Sequence, residues 1–319
     1  MTIQDMGRYG FQQYGVIPSG AMDTFALRVA NLLVGNKEDE ACFEITFGKS
    51  AIRFHDRRAI AVTGGDLNPH LNGKPIPIFR TISVNKGDEL HFKLPKNGFR
   101  AYLAISGGFD IDKTLNSKST DEKSHIGGLF GRSILSNDDV KLSAHSIANN
   151  QMLEYLKHLN GNINWGVSYH SIYATDKVLN IKALPGLDQH LFKKEHLKKF
   201  ENIVYTISAK SNRMGYRLDH SERIELMNDQ DIFSEAVSFG TVQIPPNGKP
   251  IILMADAQTI GGYPKIAQIL KTEHSKLAQA RPGEQLRFTF TNLHDAEKSY
   301  FEQEFYISQI KEGIKHKLQ

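Results

Sequence analysis

The pattern in this 319-residue sequence that most invites chemistry is an aspartate at the end of an apolar run. Asp66 closes RAIAVTGGD, where Gly64 and Gly65 let the backbone come close to a ligand. Asp256 holds a similar place in KPIILMADAQ and is followed by Gln258, Thr259 and the turn GGYP. Two such carboxylates suit acid–base work or a magnesium–phosphate group. Equally, each can cap a turn through its own backbone. GGLFGR, Gly127 to Arg132, brings backbone N–H groups and a guanidinium together for an anion, or else is a flexible loop. His70, before a turn, and His125, in a polar stretch, are the histidines to consider, against the plain reading of loop histidines as surface residues.

Other arrangements fail on spacing. Gly48-Lys49-Ser50 ends like a phosphate loop, but Phe43 stands where the first glycine of that loop is required. No GxSxG serine elbow, HExxH pair or Cys/His set is present, so neither a common hydrolase serine nor a metal site is expected. The one cysteine, Cys42, lies in ACFEITF and reads as a small buried hydrophobe. A fold without disulfides fits a reducing compartment, and a cytoplasmic protein is expected. The start, MTIQDMGRYG, lacks an apolar targeting core, and no apolar run approaches the roughly 20 residues needed to cross a bilayer. A net charge of +4 rests on 39 basic and 35 acidic residues. KKEHLKK and KEGIKHK read as solvated helix faces, without the stacking aromatics of a nucleic-acid surface.

The elements that must position these groups are mainly strands. DTFALRVANLLVGN is a helix by its spacing of Ala26, Val29, Ala30 and Leu33, with Asp23 as cap and Gly35 as stop. DELHFKL alternates Leu90, Phe92 and Leu94 with polar residues, as a strand with one wet face does. FRAYLAIS and RAIAVTGG read as buried strands, and NGKP and KGDE as hairpin turns. Residues 111–139 form a long polar loop. A helical connector follows, with Met152, Leu153, Tyr155, Leu156 and Leu159 on its apolar face. The last 25 residues predict a helix with Tyr300, Phe301, Phe305, Ile307, Ile310 and Ile314 as its buried stripe.

An internal repeat runs through the chain. SGAM and ITFG recur 192 residues later as SNRM and VSFG; RAIAVTGGD then parallels KPIILMADAQ, and NKGDELHF parallels RPGEQLRF. The expected class is therefore mainly β with few helices (α+β), in two related halves. The first half is residues 1–143, the connector 144–170, and the second half, with the C-terminal helix, 171–319. A cleft between related lobes is the expected location of function.

TIQDMGRYGFQQYGVIPSGAMD, ANLLVGN, TGGD, NSKST, GGLFGR, SNRMGYRL and TIGGYPKIAQIL, in that order, resemble the biotin-dependent carboxyltransferase family, also called allophanate hydrolase subunit 2. That resemblance implies a cyclophilin-like β-barrel for each half. It implies a subunit of an ATP-dependent 5-oxoprolinase-type hydrolase complex, converting 5-oxoproline to glutamate. The implied partners are a B-type, kinase-inhibitor-like subunit and an A-type subunit of the LamB/YcsF kind. ATP with magnesium is implied in the complex. Alternatives within the resemblance are a carboxyltransferase that receives biotin on another chain, and a regulatory antagonist that binds a kinase-inhibitor protein. Carried over by position, the family's polar residues are Asp5, Arg8, Ser19, Asp23, Asp66, Ser117, Ser119, Thr120, Arg132, Arg213, Gln258, Thr259 and Tyr263. Asp66 and Asp23 are the expected catalytic carboxylates, and the others except Asp5 are expected to bind substrate or anions. Asn116, Lys118, Asn212 and Ile260 stand where glycine, arginine, aspartate and threonine are usual in the family, and a lysine cannot reproduce a guanidinium fork.

Overall fold

The computed structural model describes residues 1–159, 161, 163–170, 172–173, 176–228 and 232–318. Residues 160 and 162 of the expected connector, and residue 171, where the second half was expected to begin, lie outside them. The chain divides into two compact units, each described by itself. The first is Met1–Arg8, Ser19–Tyr173 and Phe305–Gln319; the second is Tyr9–Pro18 and Ala174–Glu304.

The first unit contains strands β1 (Thr2–Gln4), β2 (Cys42–Thr46), β3 (Ala51–Arg53), β4 (Arg58–Asp66), β5 (Pro69–Leu71), β6 (Lys74–Pro75), β7 (Thr81–Val84), β8 (Glu89–Phe92) and β9 (Asn97–Ile105). They form a five-stranded sheet in the order β1-β2-β9-β4-β7 and a four-stranded sheet in the order β3-β8-β5-β6. Strand periodicity sorts β4 and β9 onto two cores. Ile60, Val62, Leu103 and Ile105 join Leu90 and Phe92 in one core. Ala59, Ala61, Tyr102 and Ala104 turn the other way, toward helices α1 (Thr24–Leu33) and α2 (Ile147–His158). Alanines on that face leave room for α1 to lie close to the sheet.

Local signals in the sequence set the helix ends. The Asp23 carboxylate accepts from the Ala26 N–H at 3.0 Å as the N-cap of α1. Ser146 and Asn149 form a reciprocal capping box at the start of α2, and Met152, Leu153 and Leu156 are buried.

Two expectations are corrected here. KGDE does not close a hairpin: β7 lies in the five-stranded sheet and β8 in the four-stranded one, so the turn carries the chain between sheets. The strand in DELHFKL ends at Phe92, leaving Leu94 exposed.

The second unit is a closed seven-stranded barrel. Its strands are β10 (Val178–Pro185), β11 (Tyr205–Ile207), β12 (Gly215–Asp219), β14 (Thr241–Gln243), β15 (Ile251–Leu253), β17 (Lys265–Ile269) and β18 (Gln285–Phe290). The order is β10-β17-β14-β15-β12-β11-β18, and the parallel pairing of β10 with β18 closes it. A two-stranded sheet of β13 (Glu235–Ala236) and β16 (Ile260–Gly261), with helices α3 (Lys194–Asn202) and α4 (His274–Gln279), completes the unit. The last helix, α5, spans Leu293–Lys317. Ile307, Ile310 and Ile314 join the α1–α2 core as expected, whereas Phe301 and Phe305 are 67% and 65% exposed and stand off the predicted stripe.

The repeat is carried by elements in two of its four landmarks. RAIAVTGGD is β4 and KPIILMADAQ contains β15; NKGDELHF turns into β8 and RPGEQLRF into β18. Gly87 and Gly283 take the same left-handed φ, 95° and 90°. SGAM, however, leads into helix α1, while SNRM leads into strand β12.

Leu103 is fully buried on the central strand β9. We expect Leu103→Ala to destabilise the first unit by about 2–5 kcal/mol, read as a lower midpoint in chemical denaturation.

Candidate active site

After β9 the chain reaches α2 through a long segment with only isolated bridges, Phe109 with Leu142, Thr114 with Ser117 and Asp121 with Ile126. What orders it is a buried carboxylate just after β1. Asp5 accepts from the Ser117 hydroxyl at 2.7 Å, the Ser119 hydroxyl at 2.6 Å, the Lys118 N–H at 2.6 Å and the Gly7 N–H at 2.8 Å. Arg8, fully buried, donates to the carbonyls of Thr114 and Ser119, and the Thr120 hydroxyl donates to the Ile3 carbonyl at 3.0 Å. Lys118 makes two separate bonds, to Glu40 and to the Phe109 carbonyl, each 2.7 Å. Arg8, Ser117, Ser119 and Thr120 are thus brought together, and the bonds they make hold strand and loop to each other.

The glycines of GGLFGR have a packing reason. Gly127 and Gly128 have φ of 67° and 53°; a side chain at Gly127 would meet the Ser119 carbonyl and the Arg8 guanidinium, and one at Gly128 the Thr120 hydroxyl. Arg132 gives its fork to Asp138, at 2.6 and 3.0 Å. That pair, with the Leu135 N–H, holds the Asp138 carboxyl down to about 2.

Ser19 and Asp23 lie beside this network on the approach to α1. Ser19 is buried with a left-handed φ of 54°, and its hydroxyl has no hydrogen-bond partner among the described residues. Gly20 next to it packs on the backbone of Met6 and Gly7. Beyond its capping role, Asp23 accepts from the Tyr173 hydroxyl at 2.7 Å, and its N–H donates to the Tyr102 hydroxyl at 2.9 Å. Tyr102 in turn donates to Glu44 at 2.6 Å. Burial, then Glu44 and Asp23, push the Tyr102 phenol well above its ordinary range, so it stays a donor.

Asp66 is placed differently: it lines a cavity of about 610 Å³ within the first unit. One carboxylate oxygen accepts from the Asn68 N–H at 2.8 Å, so the turn-capping reading holds for that oxygen. The walls are Pro69, Pro75, Pro77 and Phe79 together with the charged Arg80 and Lys96; Gly166 to His170 supply the remaining side. Phe79, buried with φ of 57°, stacks on Tyr169 at 4.3 Å. A side chain at Gly166 would collide with Arg80 Cγ and the Phe79 carbonyl, so glycine lets that strip close over the pocket edge. Burial, and then the Asp66 carboxylate, raise the Tyr169 phenol above its usual value, which puts both groups in one electrostatic environment. Arg80, Lys96, Tyr169 and His170 escaped sequence reasoning because they belong to no motif. The proline-punctuated NPHLNGKPIPIFR is the only local hint of a rigid wall.

In the second unit Arg213 clamps Asp256 with two bonds of 2.7 and 2.9 Å. Gln258 is exposed; Thr259 is buried and its carbonyl accepts from Val237; Tyr263 is 43% exposed, with its carbonyl accepting from Gln243. His70 bonds the Asn68 carbonyl, His125 is exposed with φ of 55°, and burial raises the Cys42 thiol well above its usual range. Among the described residues no group of three or more His, Cys, Asp or Glu side chains could hold a metal ion. None of the described helices is long and apolar enough to cross a membrane.

Residues 14–290 match the family described as carboxyltransferase domain, subdomain A and B, and the chain belongs to that family. Within it, the C-type subunit of 5-oxoprolinase from Haemophilus influenzae is 35% identical over 316 residues, 99% of this chain and 96% of that protein. The corresponding C-type subunit from Escherichia coli is 36% identical over 309 residues, 97% and 94% of the two chains. The crystal structure of the K. lactis urea amidolyase is similar with a TM-score of 0.86 at 28% identity, covering 97% of this chain and 19% of that one.

Two outcomes test the network. Asp5→Ala strands four donors in a dry site, and the stability loss in denaturation should reach at least about 3 kcal/mol. The Arg132–Asp138 pair depresses a carboxylate from 3.8 to about 2. Its contribution is therefore present above the unfolded value and lost as pH falls through about 2. A carboxyl titration followed by NMR should show the Asp138 value returning toward 3.8 in Arg132→Ala.

Proposed function

We propose that this chain is the C-type subunit of an ATP-dependent 5-oxoprolinase, a hydrolase complex that opens 5-oxoproline to glutamate. The observation that carries the reading is end-to-end similarity: both bacterial relatives of that name are matched over more than nine-tenths of their own length. The partners are a B-type subunit and an A-type subunit, and the compartment is the cytoplasm.

Opening the lactam adds water across its C–N bond, so the carbonyl carbon gains an oxygen and the departing nitrogen gains a proton. A five-membered lactam is a stable amide. Transfer of the ATP γ-phosphoryl group to the carbonyl oxygen, releasing ADP, makes that carbon electrophilic enough for water to add and for the C–N bond to break, with the proton going to nitrogen. A second water then releases phosphate from the acyl phosphate. Asp66 lines the cavity of the first unit and is suited to general acid–base work at the nitrogen. Asp23 acts behind it as a positioning group through Tyr173, which packs on Phe79. The side chains of Ser117, Ser119, Thr120 and Arg132 are engaged within the chain. ATP and its magnesium are accordingly assigned to the complex, with no nucleotide-binding role given to the 127–132 loop.

A second reading is favoured by the family itself and by the likeness to urea amidolyase: carboxyl transfer from biotin carried on another chain. Co-expression with A- and B-type subunits separates the two. Phosphate release that depends on 5-oxoproline and on all three chains supports the first, with Asp66→Asn lowering turnover by about 10²-fold or more. Turnover only with carboxybiotin supports the second. A stable complex without either activity returns weight to the regulatory antagonist.

A further inference from the structure

The cavity around Asp66 is lined by charges of both signs. One carboxylate, Asp66, lines it together with a guanidinium, Arg80, and an ammonium, Lys96. A space of about 610 Å³ is in the range of small-molecule sites. As a sphere it is about 10 Å across, enough for an extended five-carbon chain with a hydrogen bond at either end. The wall is rigid: three prolines fix their own backbone, Phe79 is stacked on Tyr169, and Gly166 packs on Arg80. Asp66 is half-buried and Arg80 and Lys96 are exposed, so the wall fixes their backbone positions while the two cationic side chains order on binding.

From this inventory we infer that the Asp66 cavity is a binding site for an acidic α-amino acid, a ligand with one ammonium and two carboxylates. Asp66 takes the ammonium, and Arg80 and Lys96 take one carboxylate each. The Asp66 oxygen bonded to Asn68 is fixed by that bond, which aims the carboxylate without neutralising it. A lactam acid offers the same site one carboxylate and a neutral N–H. It leaves one cation unanswered and gives Asp66 a weaker partner, because charge-assisted bonds are about twice as strong as neutral ones. The site therefore holds the open, dicarboxylic form better than the ring. This deepens the oxoprolinase reading, on which it rests for its physiological meaning, by placing the product side of lactam opening on this chain.

Calorimetric titration of the full chain with L-glutamate, glutarate and 5-oxoproline tests it, with emission of Trp165, the only tryptophan and adjacent to the cavity wall, as second readout. Glutamate should bind at least about tenfold more tightly than either of the others. Asp66→Asn should remove that preference while leaving glutarate binding equal or stronger. Arg80→Ala and Lys96→Ala should weaken glutamate and glutarate alike. Equal affinity for glutamate and glutarate, glutamate binding unchanged in Asp66→Asn, or no heat and no Trp165 response from folded protein would each overturn the inference. The same preparations in the reconstituted complex keep the two ideas apart. Oxoproline-dependent ATP hydrolysis without glutamate binding here rejects the site alone; an Asp66-dependent glutamate site without that hydrolysis rejects the oxoprolinase reading alone.

Discussion

A buried carboxylate with four donors around it governs the first unit. Asp5 sits just beyond an edge strand, and three of its four donors come from a segment more than 110 residues away that has almost no strand or helix of its own. Such a segment cannot satisfy its backbone groups by itself, and a buried carboxylate cannot stay charged without donors. Each deficit answers the other. Arg8 adds the opposite arrangement, a buried cation on two loop carbonyls. The glycines at 127 and 128 then become necessary, because the loop folds back onto the Ser119 carbonyl and the Thr120 side chain at distances that exclude a Cβ.

The repeated aspartate shows how similar sequences reach different chemistry. In the second unit the carboxylate of Asp256 is closed off by the Arg213 fork. In the first unit the sequence position matching Arg213 is Ala21, which leads into helix α1 and donates its N–H to the Asp5 carbonyl. Asp66 has a turn N–H on one oxygen and a cavity beside it. A carboxylate held by a bidentate guanidinium is a structural clamp, whereas one with a single backbone donor at a pocket wall is available to a ligand.

Much of this was legible in the residues. Helix α1 with its Asp23 cap, the strands through RAIAVTGGD and FRAYLAIS, the buried Cys42 and the aspartate at a strand end all follow from local rules of periodicity, capping and turn chemistry. The errors arose where a local pattern was read without knowing which sheet would receive it. KGDE has hairpin chemistry but joins two sheets. Phe301 and Phe305 have helical spacing with Ile307 and Ile310, yet only the isoleucines meet a core.

By itself, then, the sequence determined the mainly β class, the ends of the principal helices, the family, and Asp66 as a carboxylate worth following. Those properties depend on neighbours within a few residues or on the order of motifs. Tertiary structure alone decided that Ser117, Ser119 and Thr120 serve Asp5 and the first strand, that Arg132 and Arg213 are occupied by aspartates, and that Arg80 and Lys96 share a cavity with Asp66. A side chain's partner is fixed by where distant segments converge, and a charge becomes a clamp or a binding group according to the partner it meets there.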